Sequence, residues 1–539
     1  MCTDNNPHAE PVWTIEDQQK VTKEAVDYNQ AIAAIGYGPY NVLLLLAALP
    51  IAWTCLVDTT STAFIINSSE CEFELTMLRR GIACSAIYIG MSIAGPLWDF
   101  FLQDWILACL GRKNVIVIGI LLDAVCNVLW ANATSFYTFV ALKFVSGLLI
   151  AGPLSIIMAY LAEFHAPLYQ VNFTRWAGLL VMVANVFAAG TAATLLRQAD
   201  WLKFTIHNHF FPTWRIYLLV CGIPSLLGLF TACLLPKSPK FLIAQGRNDE
   251  ALKLFQTMYS WNHFKSSSDY PVKELIVQSK VSKQAKTACK DQFQVSIKQI
   301  KALFSRSNIK NTVTLMFLQF SGMIAFNVMR LWVPPLWVTL NNFRVYTRAL
   351  YPTGELITMC EMLFPRIKNI DYSACNYTLP HVESAVYVNS TSIVLSCAGF
   401  GFLFAFITTT KARQIVVIIF TLFSCTVGSV GANWSIDIPY MLVAVAFVIV
   451  ASRITLNTVT TYSSQFTPQP LRPTALGVLN FTGNLGAAVG NVLFAVIISI
   501  DCLSAFLSIG CIALISTFMP LILIKAPSKT PCKPDLEKY

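Results

Sequence analysis

Charge is scarce in this chain. Only 12% of its 539 residues are Asp, Glu, Lys or Arg, against 55% hydrophobic, whereas soluble domains carry about 25% charge. That shortage excludes an ordinary soluble domain. Histidine is scarcer still: the six residues fall in no metal-ligand spacing, so no metal centre is expected. Neither a P-loop nor a Ser or Cys nucleophile motif occurs, so the expectation is a protein that is no enzyme, uses no ATP and needs no cofactor. The apolar runs lack period-two alternation, which excludes a β-barrel. A secretory signal is missing as well. The first forty residues are polar and rather acidic (Asp4, Glu10, Glu16, Asp17, Glu24, Asp27), so the first apolar segment is expected to stay in the membrane as an anchor, with its amino end cytoplasmic.

What the chain does have is long apolar runs. About twelve reach the roughly 20 residues that ~30 Å of hydrocarbon demands. They lie at about 41–66, 81–102, 114–131, 137–161, 176–196 and 214–235, then at about 311–340, 386–408, 414–432, 439–462, 474–497 and 501–524. Between the two sets, residues 237–310 form a polar island with fourteen Lys and Arg against five Asp and Glu. Positive charge beside spans stays on the cytoplasmic side, so the island faces the cytoplasm and each half holds an even number of spans. The expected organisation is a cytoplasmic segment 1–40, an N-terminal six-helix bundle 41–236, the central cytoplasmic loop 237–310, a C-terminal six-helix bundle 311–525 with a lumenal loop at about 341–385, and a cytoplasmic tail 526–539. The net charge of +10 is concentrated in the central loop and in a tail with Lys525, Lys529, Lys533 and Lys538. Topology and contact with anionic membrane lipids account for it, and no nucleic-acid partner is expected.

Features on the outer side offer a separate check. Asn-x-Ser/Thr acceptors at Asn67, Asn132, Asn376 and Asn433 fall in loops that this topology places outside, and glycosylation is expected there. Asn389 lies close to span 8, Asn172 in a cytoplasmic loop and Asn480 within a span. Most of the sixteen cysteines lie inside apolar runs, where the residue is a small core hydrophobe. Cys71, Cys360 and Cys375 lie outside the cytoplasm, and a Cys360–Cys375 disulfide is one option there. Ahead of span 1, Ala31, Ile32 and Ile35 could lie on the membrane interface, with Gly36 and Gly38 turning the chain inward; a plain linker is the alternative.

Short cytoplasmic loops carry recognisable motifs. Between spans 2 and 3, Gly95-Pro-Leu-Trp98-Asp99, then Asp104, then Gly111-Arg112-Lys113 form a stretched version of Gly-x-x-x-Asp-x-x-Gly-Arg-Lys. A carboxylate near one helix end and cations on a tight turn would latch the two halves on the inside. The loop between spans 8 and 9, Thr408-Thr-Thr-Lys411-Ala412-Arg413, keeps the cations without the acid or the Gly, and simple inside-facing charge explains it equally well. Glu163 ends span 4, with Arg175 as its expected partner; Gly147 and Gly152 give that span a small face for close packing. After span 6 comes Pro236-Lys-Ser-Pro239-Lys240-Phe241-Leu242.

Six spans, a basic loop and six more spans, together with these motifs, resemble the major facilitator superfamily. The resemblance implies an all-α membrane protein of twelve transmembrane helices in two six-helix bundles, each bundle made of inverted three-helix repeats. The segment after span 6 is similar to the Pro-Glu-Ser-Pro-Arg-Phe signature of sugar and organic-ion carriers, with Lys237 in place of the acid, which implies a looser inner latch. Ala31 to Tyr40, Leu97-Trp98, Gly147 to Glu163-Phe164, Trp214-Arg215 and Arg472-Pro-Thr474-Ala475-Leu-Gly477-Val-Leu-Asn480 together resemble the synaptic vesicle glycoprotein 2 family and its insect relatives. That likeness implies a multi-pass facilitator fold in the plasma membrane or an intracellular vesicle, with an outward loop after span 7. The vertebrate glycoproteins hold a long β-solenoid in that loop; about 45 residues here are too few for one.

Ionisable groups at bilayer depth point to a cavity. Asp58, Asp123, Arg330 and Arg453 are the candidates, and three of them fall on spans 1, 7 and 10, which line the path in facilitators. Asp58 and Arg453, with Arg330, Trp332 and Asn457, are therefore expected to line a central solute cavity. An ion pair of Asp58 with an Arg is the structural alternative. The resembled family has Trp and Asp where this chain has Arg453 and Asn457, which implies a preference for anionic over cationic solutes. Two classes follow: a secondary transporter of a small polar or anionic organic solute, or a non-transporting membrane glycoprotein acting through protein partners; residues 265–310 of the central loop could recruit partners or lipid, though a solvated, charge-rich loop accounts for them better.

Overall fold

A chain that crosses hydrocarbon must satisfy its own backbone hydrogen bonds, and an α-helix does so within one segment. The computed structural model describes residues 26–98, 103–196, 204–206, 209–275, 297–306, 308–350, 360, 384–433, 438–468 and 471–524. Among these, eleven helices are long and apolar enough to cross a membrane: Pro39–Ile65, Gly111–Ala131, Phe136–Ala162, Trp176–Leu195, Thr213–Leu234, Ile309–Val338, Val386–Ile407, Lys411–Ala432, Tyr440–Phe466, Arg472–Ile500 and Cys502–Leu523. They are spans 1 and 3 to 12. Span 2 is Met77–Pro96, which begins earlier than hydropathy suggests. Its first turn carries arginines that stay at the outer boundary because acids on the short helix Glu70–Phe73 and just after it hold them. Arg80 Nη2 lies 2.7 Å from Glu70 Oε1, and Arg79 Nη1 lies 3.5 Å from Glu74 Oε2.

Spans 1–6 and 7–12 form two bundles. Span 2 packs along span 4 in its own bundle and along span 11 in the other; span 5 meets span 8, and span 1 meets span 7. Close approach needs small residues. A Cβ on Gly147 would stand 2.1 Å from the carbonyl oxygen of Ile87, so the small face of span 4 serves span 2. Gly111, at φ +75°, breaks the helix Gln103–Ala131, and the Phe241 ring fills the space where its side chain would be. Large apolar residues such as Leu43, Val125, Phe230 and Phe420 are exposed on the outside of the bundles, where lipid meets them.

Several expectations need correcting. The juxtamembrane residues do not lie on the membrane: Tyr28–Ile35 is a helix whose Ala31, Ile32 and Ile35 are fully buried. Its cover is the start of the central loop, where helix Asn248–His263 packs with Phe255 and Met258 inward. Tyr270 donates to the Ala31 carbonyl at 2.7 Å, Asn262 Nδ2 donates to Asn41 Oδ1 at 2.9 Å, and Val26 bridges to Leu275. The helix of span 7 runs on to Leu350, so the expected loop from 341 begins later. A two-stranded hairpin that alternation did not reveal, Phe204–Ile206 with His209–Phe211, precedes span 6.

The outer disulfide also differs. Cys360 bonds Cys502 at the start of span 12, Cα to Cα 5.5 Å, across 142 residues; Cys71 is disulfide-bonded too. Cys375 lies outside the described residues. Under denaturing, non-reducing conditions, Cys502→Ser is expected to gain one alkylated thiol, mapped by peptide mass to Cys360; an unmodified Cys360 in that variant would refute the pairing.

Candidate functional site

Span 7 brings Arg330 to the meeting point of the two bundles. One turn earlier, Phe326 lies on the same helix face, because residues four apart stack along a helix. The Arg330 guanidinium reaches across to three spans of the other half. Its Nη1 donates to Thr60 Oγ1 at 3.0 Å and Asn185 Oδ1 at 3.4 Å, and its Nη2 donates to the Tyr88 hydroxyl at 2.6 Å and to Asn327 Oδ1 at 3.1 Å. The Tyr88 hydroxyl in turn donates to Asn327 Oδ1 at 2.8 Å. Every acceptor is neutral, and Arg330 Nε is buried with no partner.

Span 10 supplies the second cation. Arg453 Cζ lies 5.4 Å from the centroid of the Phe326 ring, and Arg330 Cζ lies 5.2 Å from it, so two guanidinium groups flank one ring. Arg453 Nε is likewise buried and unsatisfied, and neither arginine has an ion pair with a carboxylate among the described residues. One turn further, Asn457 is exposed, followed at helical spacing by exposed Thr461 and Gln465. A polar stripe at membrane depth has to meet water rather than lipid, so span 10 borders an opening on the cytoplasmic side. The outer side is closed. Asn67 Nδ2 donates to the Pro335 carbonyl at 3.0 Å, and Phe64 of span 1 packs on Tyr387 of span 8 with centroids 5.9 Å apart.

Two expected cavity residues lie elsewhere. Asp58 is fully buried inside the N-terminal bundle, where its charged neighbours are Asp123 and Lys143. No arginine pairs with it among the described residues. The Lys143 ammonium donates to the Asp58 main-chain carbonyl at 2.9 Å and sits 3.1 Å from the centroid of the Trp130 ring, and both Asp58 carboxyl oxygens lack a partner. Asp123 accepts from Ser146 at 2.7 Å, Asn127 at 3.1 Å and Ser225 at 3.2 Å. Trp332 also faces away: its Nε1–H donates to Asn491 Oδ1 of span 11 at 3.1 Å, and its ring packs edge-on against Phe494. Lys143, Tyr88 and Asn185 were not singled out from sequence. Lys143, at least, had a signal, being a cation well inside the apolar helix Phe136–Ala162.

The cytoplasmic latch lies within one half instead of joining two. Arg112 Nε donates to Glu163 Oε1 at 3.0 Å, and Ser238 donates to the other oxygen of Glu163, so spans 3 and 4 and the segment after span 6 are tied together. Lys113 Nζ donates to the Cys233 carbonyl at 2.7 Å. Among the described residues the cation that pairs with Glu163 is Arg112; the side chains of Arg175, its expected partner, and of Asp104 lie outside the described residues. Among the described residues Arg413 reaches only Thr409 Oγ1, at 3.4 Å. In the second half, Gln414 Nε2 donates to Gln465 Oε1 at 3.2 Å, across the same 51-residue separation as Arg112 and Glu163. A neutral amide pair stands where its counterpart is ionic. Beside the latch, the His165 imidazole is buried against Phe173, and burial holds its pKa below the usual 6.5.

Of the glycosylation acceptors, Asn132 is exposed. Asn67 is not free for a glycan, since its amide nitrogen is committed to Pro335 and its oxygen is buried. Asn376 and the side chain of Asn433 lie outside the described residues.

Two six-helix bundles that close on the outer side over a central pair of cations define a multi-pass membrane protein of the major facilitator class. The profile of the family described as sugar (and other) transporter matches residues 50–330, and that of the major facilitator superfamily matches residues 371–538. The chain belongs to the sugar (and other) transporter family within that superfamily. It is 24% identical over 248 residues to synaptic vesicle glycoprotein 2B of Rattus norvegicus, covering 46% of this chain and 35% of that protein. Synaptic vesicle glycoprotein 2A of Homo sapiens is 24% identical over 249 residues, 46% of this chain and 33% of that one. The alignments thus span about a third of the length of these relatives. The fold is similar to the partially occluded, inward-open xylose transporter XylE from E. coli, with a TM-score of 0.59 at 14% identity over 89% of this chain and 99% of that one.

Proposed function

We propose that the protein is a secondary transporter that binds a small anionic or polar organic solute between its two halves and releases it by alternating access. One observation carries this. Arg330 and Arg453 flank Phe326 with no carboxylate to answer them among the described residues. Unbalanced positive charge at that depth is unfavourable, and an anionic solute would bring the missing counter-ion with it. Asn457, Thr461 and Gln465 then supply a polar way out toward the cytoplasm.

The test is thermal unfolding of purified protein against a panel of mono- and dicarboxylates, organic phosphates, sugars and amines. At least one organic anion is expected to raise the unfolding temperature, and Arg453→Ala is expected to weaken that anion by ten- to a hundredfold, the ~1.5–3 kcal/mol of charged hydrogen bonds. Stabilisation by a sugar or an amine, with anions inert, would sink the anionic reading. The neutral Gln414–Gln465 pair and the acid-free Arg413 favour a second reading, a glycoprotein that kept the fold and acts through partners. Counterflow in proteoliposomes separates the two, since only a transporter exchanges solute.

A further inference from the structure

At the cytoplasmic ends of spans 3 and 6 lies a cavity of about 180 Å3 lined by cations. Arg112 and Lys113 enter it from the turn at Gly111, and Lys237 and Arg247 enter it from the segment after span 6. Among the described residues two carboxylates answer these four. Glu163 takes Arg112 through its Nε at 3.0 Å, and Glu250 takes Arg247 through its Nε at 2.7 Å. Lys113 is left with a main-chain carbonyl, that of Cys233, and the exposed Lys237 has no carboxylate partner among the described residues.

Arg112 Nη1 is buried without a hydrogen-bond partner, so its desolvation is uncompensated. Ser238 and the Phe241 ring complete the wall. The opening has a defined height, because Cys233 and Leu234, which end span 6 beside it, are exposed, Leu234 to 68%. An apolar residue so exposed at a span end faces lipid, which puts the cations level with the headgroups of the inner leaflet.

We infer that this cavity is a phosphate site, and that its ligand is a phosphate monoester. Such a group carries close to two negative charges and three strong acceptor oxygens, matching the two cations that have no carboxylate partner among the described residues, with the Arg112 guanidinium, a fork suited to phosphate, lining the same space. The source is either the headgroup of an acidic lipid or a soluble phosphate. The inference stands on the fold and the cavity and holds whether or not the central site transports.

The experiment uses the full chain in detergent, with dioctanoyl phosphatidic acid and dioctanoyl phosphatidylinositol 4-phosphate as lipid probes, inositol trisphosphate and ATP as soluble probes, and dioctanoyl phosphatidylcholine as the neutral control. Binding is read by native mass spectrometry and by thermal shift. The monoester lipids are expected to bind at least tenfold tighter than phosphatidylcholine, and Lys237→Glu, on an exposed side chain, is expected to weaken them by about tenfold or more, as removing one cation and adding one anion near a charged surface should. Arg247→Gln is expected to weaken them less. Soluble probes that bind as tightly as the lipids, with the same loss in Lys237→Glu, would support the site and assign it to soluble phosphate. Equal binding of phosphatidylcholine and phosphatidic acid, or an unchanged affinity in Lys237→Glu and Arg247→Gln alike, overturns the inference.

Discussion

Arg330→Ala is expected to lose both the anion response and much of the rigidity of the closed outer side. The guanidinium is the only group described that hydrogen-bonds spans 1, 2 and 5 from span 7, and truncating a buried, hydrogen-bonded charge costs about 2–5 kcal/mol. Purified variant should therefore unfold at a clearly lower temperature, and anions that protect the wild type should leave it unmoved. Arg330→Lys is expected to recover only part of this, because a point charge cannot reach Thr60 and Tyr88 at once as a planar fork does. An alanine variant that unfolds like the wild type and keeps its anion response would remove Arg330 from the site.

Lys143→Met is expected to be comparably severe for a different reason. Lys143 is the cation that faces Asp58 and Asp123 inside the first bundle, and its ammonium also closes on the Asp58 carbonyl and the Trp130 ring. Removing one member of a buried charged cluster costs about 3–5 kcal/mol because the others are left uncompensated. Asp58→Asn placed on top of Lys143→Met should recover part of the loss, since it removes one of the stranded carboxyls. Double-mutant analysis of unfolding temperatures measures this directly. Strict additivity of the two substitutions would show that the cluster is not a unit.

The spans were legible because hydropathy is a sum over some twenty residues and tolerates errors at any one of them. Span 1, read as about 41–66, is Pro39–Ile65. Span 2 moved because two arginines, paired with Glu70 and Glu74, let a helix begin in water. The site was legible only where a charge announced itself, as at Arg330 and Arg453. Trp332 was misplaced because two residues turn a helix by about 200°, which sends it to the far face from Arg330. Asp58 shows the same limit from the other direction, since no spacing rule tells which side of span 1 meets the other half. Lys143 hid among glycines and aliphatic neighbours, Tyr88 and Asn185 carry no charge to draw notice, and Gln414–Gln465 is invisible to a search for ion pairs. Cys360 found a partner 142 residues away, a distance at which sequence gives no guidance on pairing.

The helix Tyr28–Ile35 imposes an order on biosynthesis. Its cover includes His263, whose ring bonds the carbonyl of Ile35 from 228 positions later in the chain. At ~5–20 residues per second of translation, the ribosome needs roughly 10 to 50 s to make that stretch. During this interval Ile32 and Ile35 have no lid, and the first six spans are already in the bilayer before it arrives. A nascent chain stalled inside that window would leave a greasy helix bare on its cytosolic face, a natural target for chaperones.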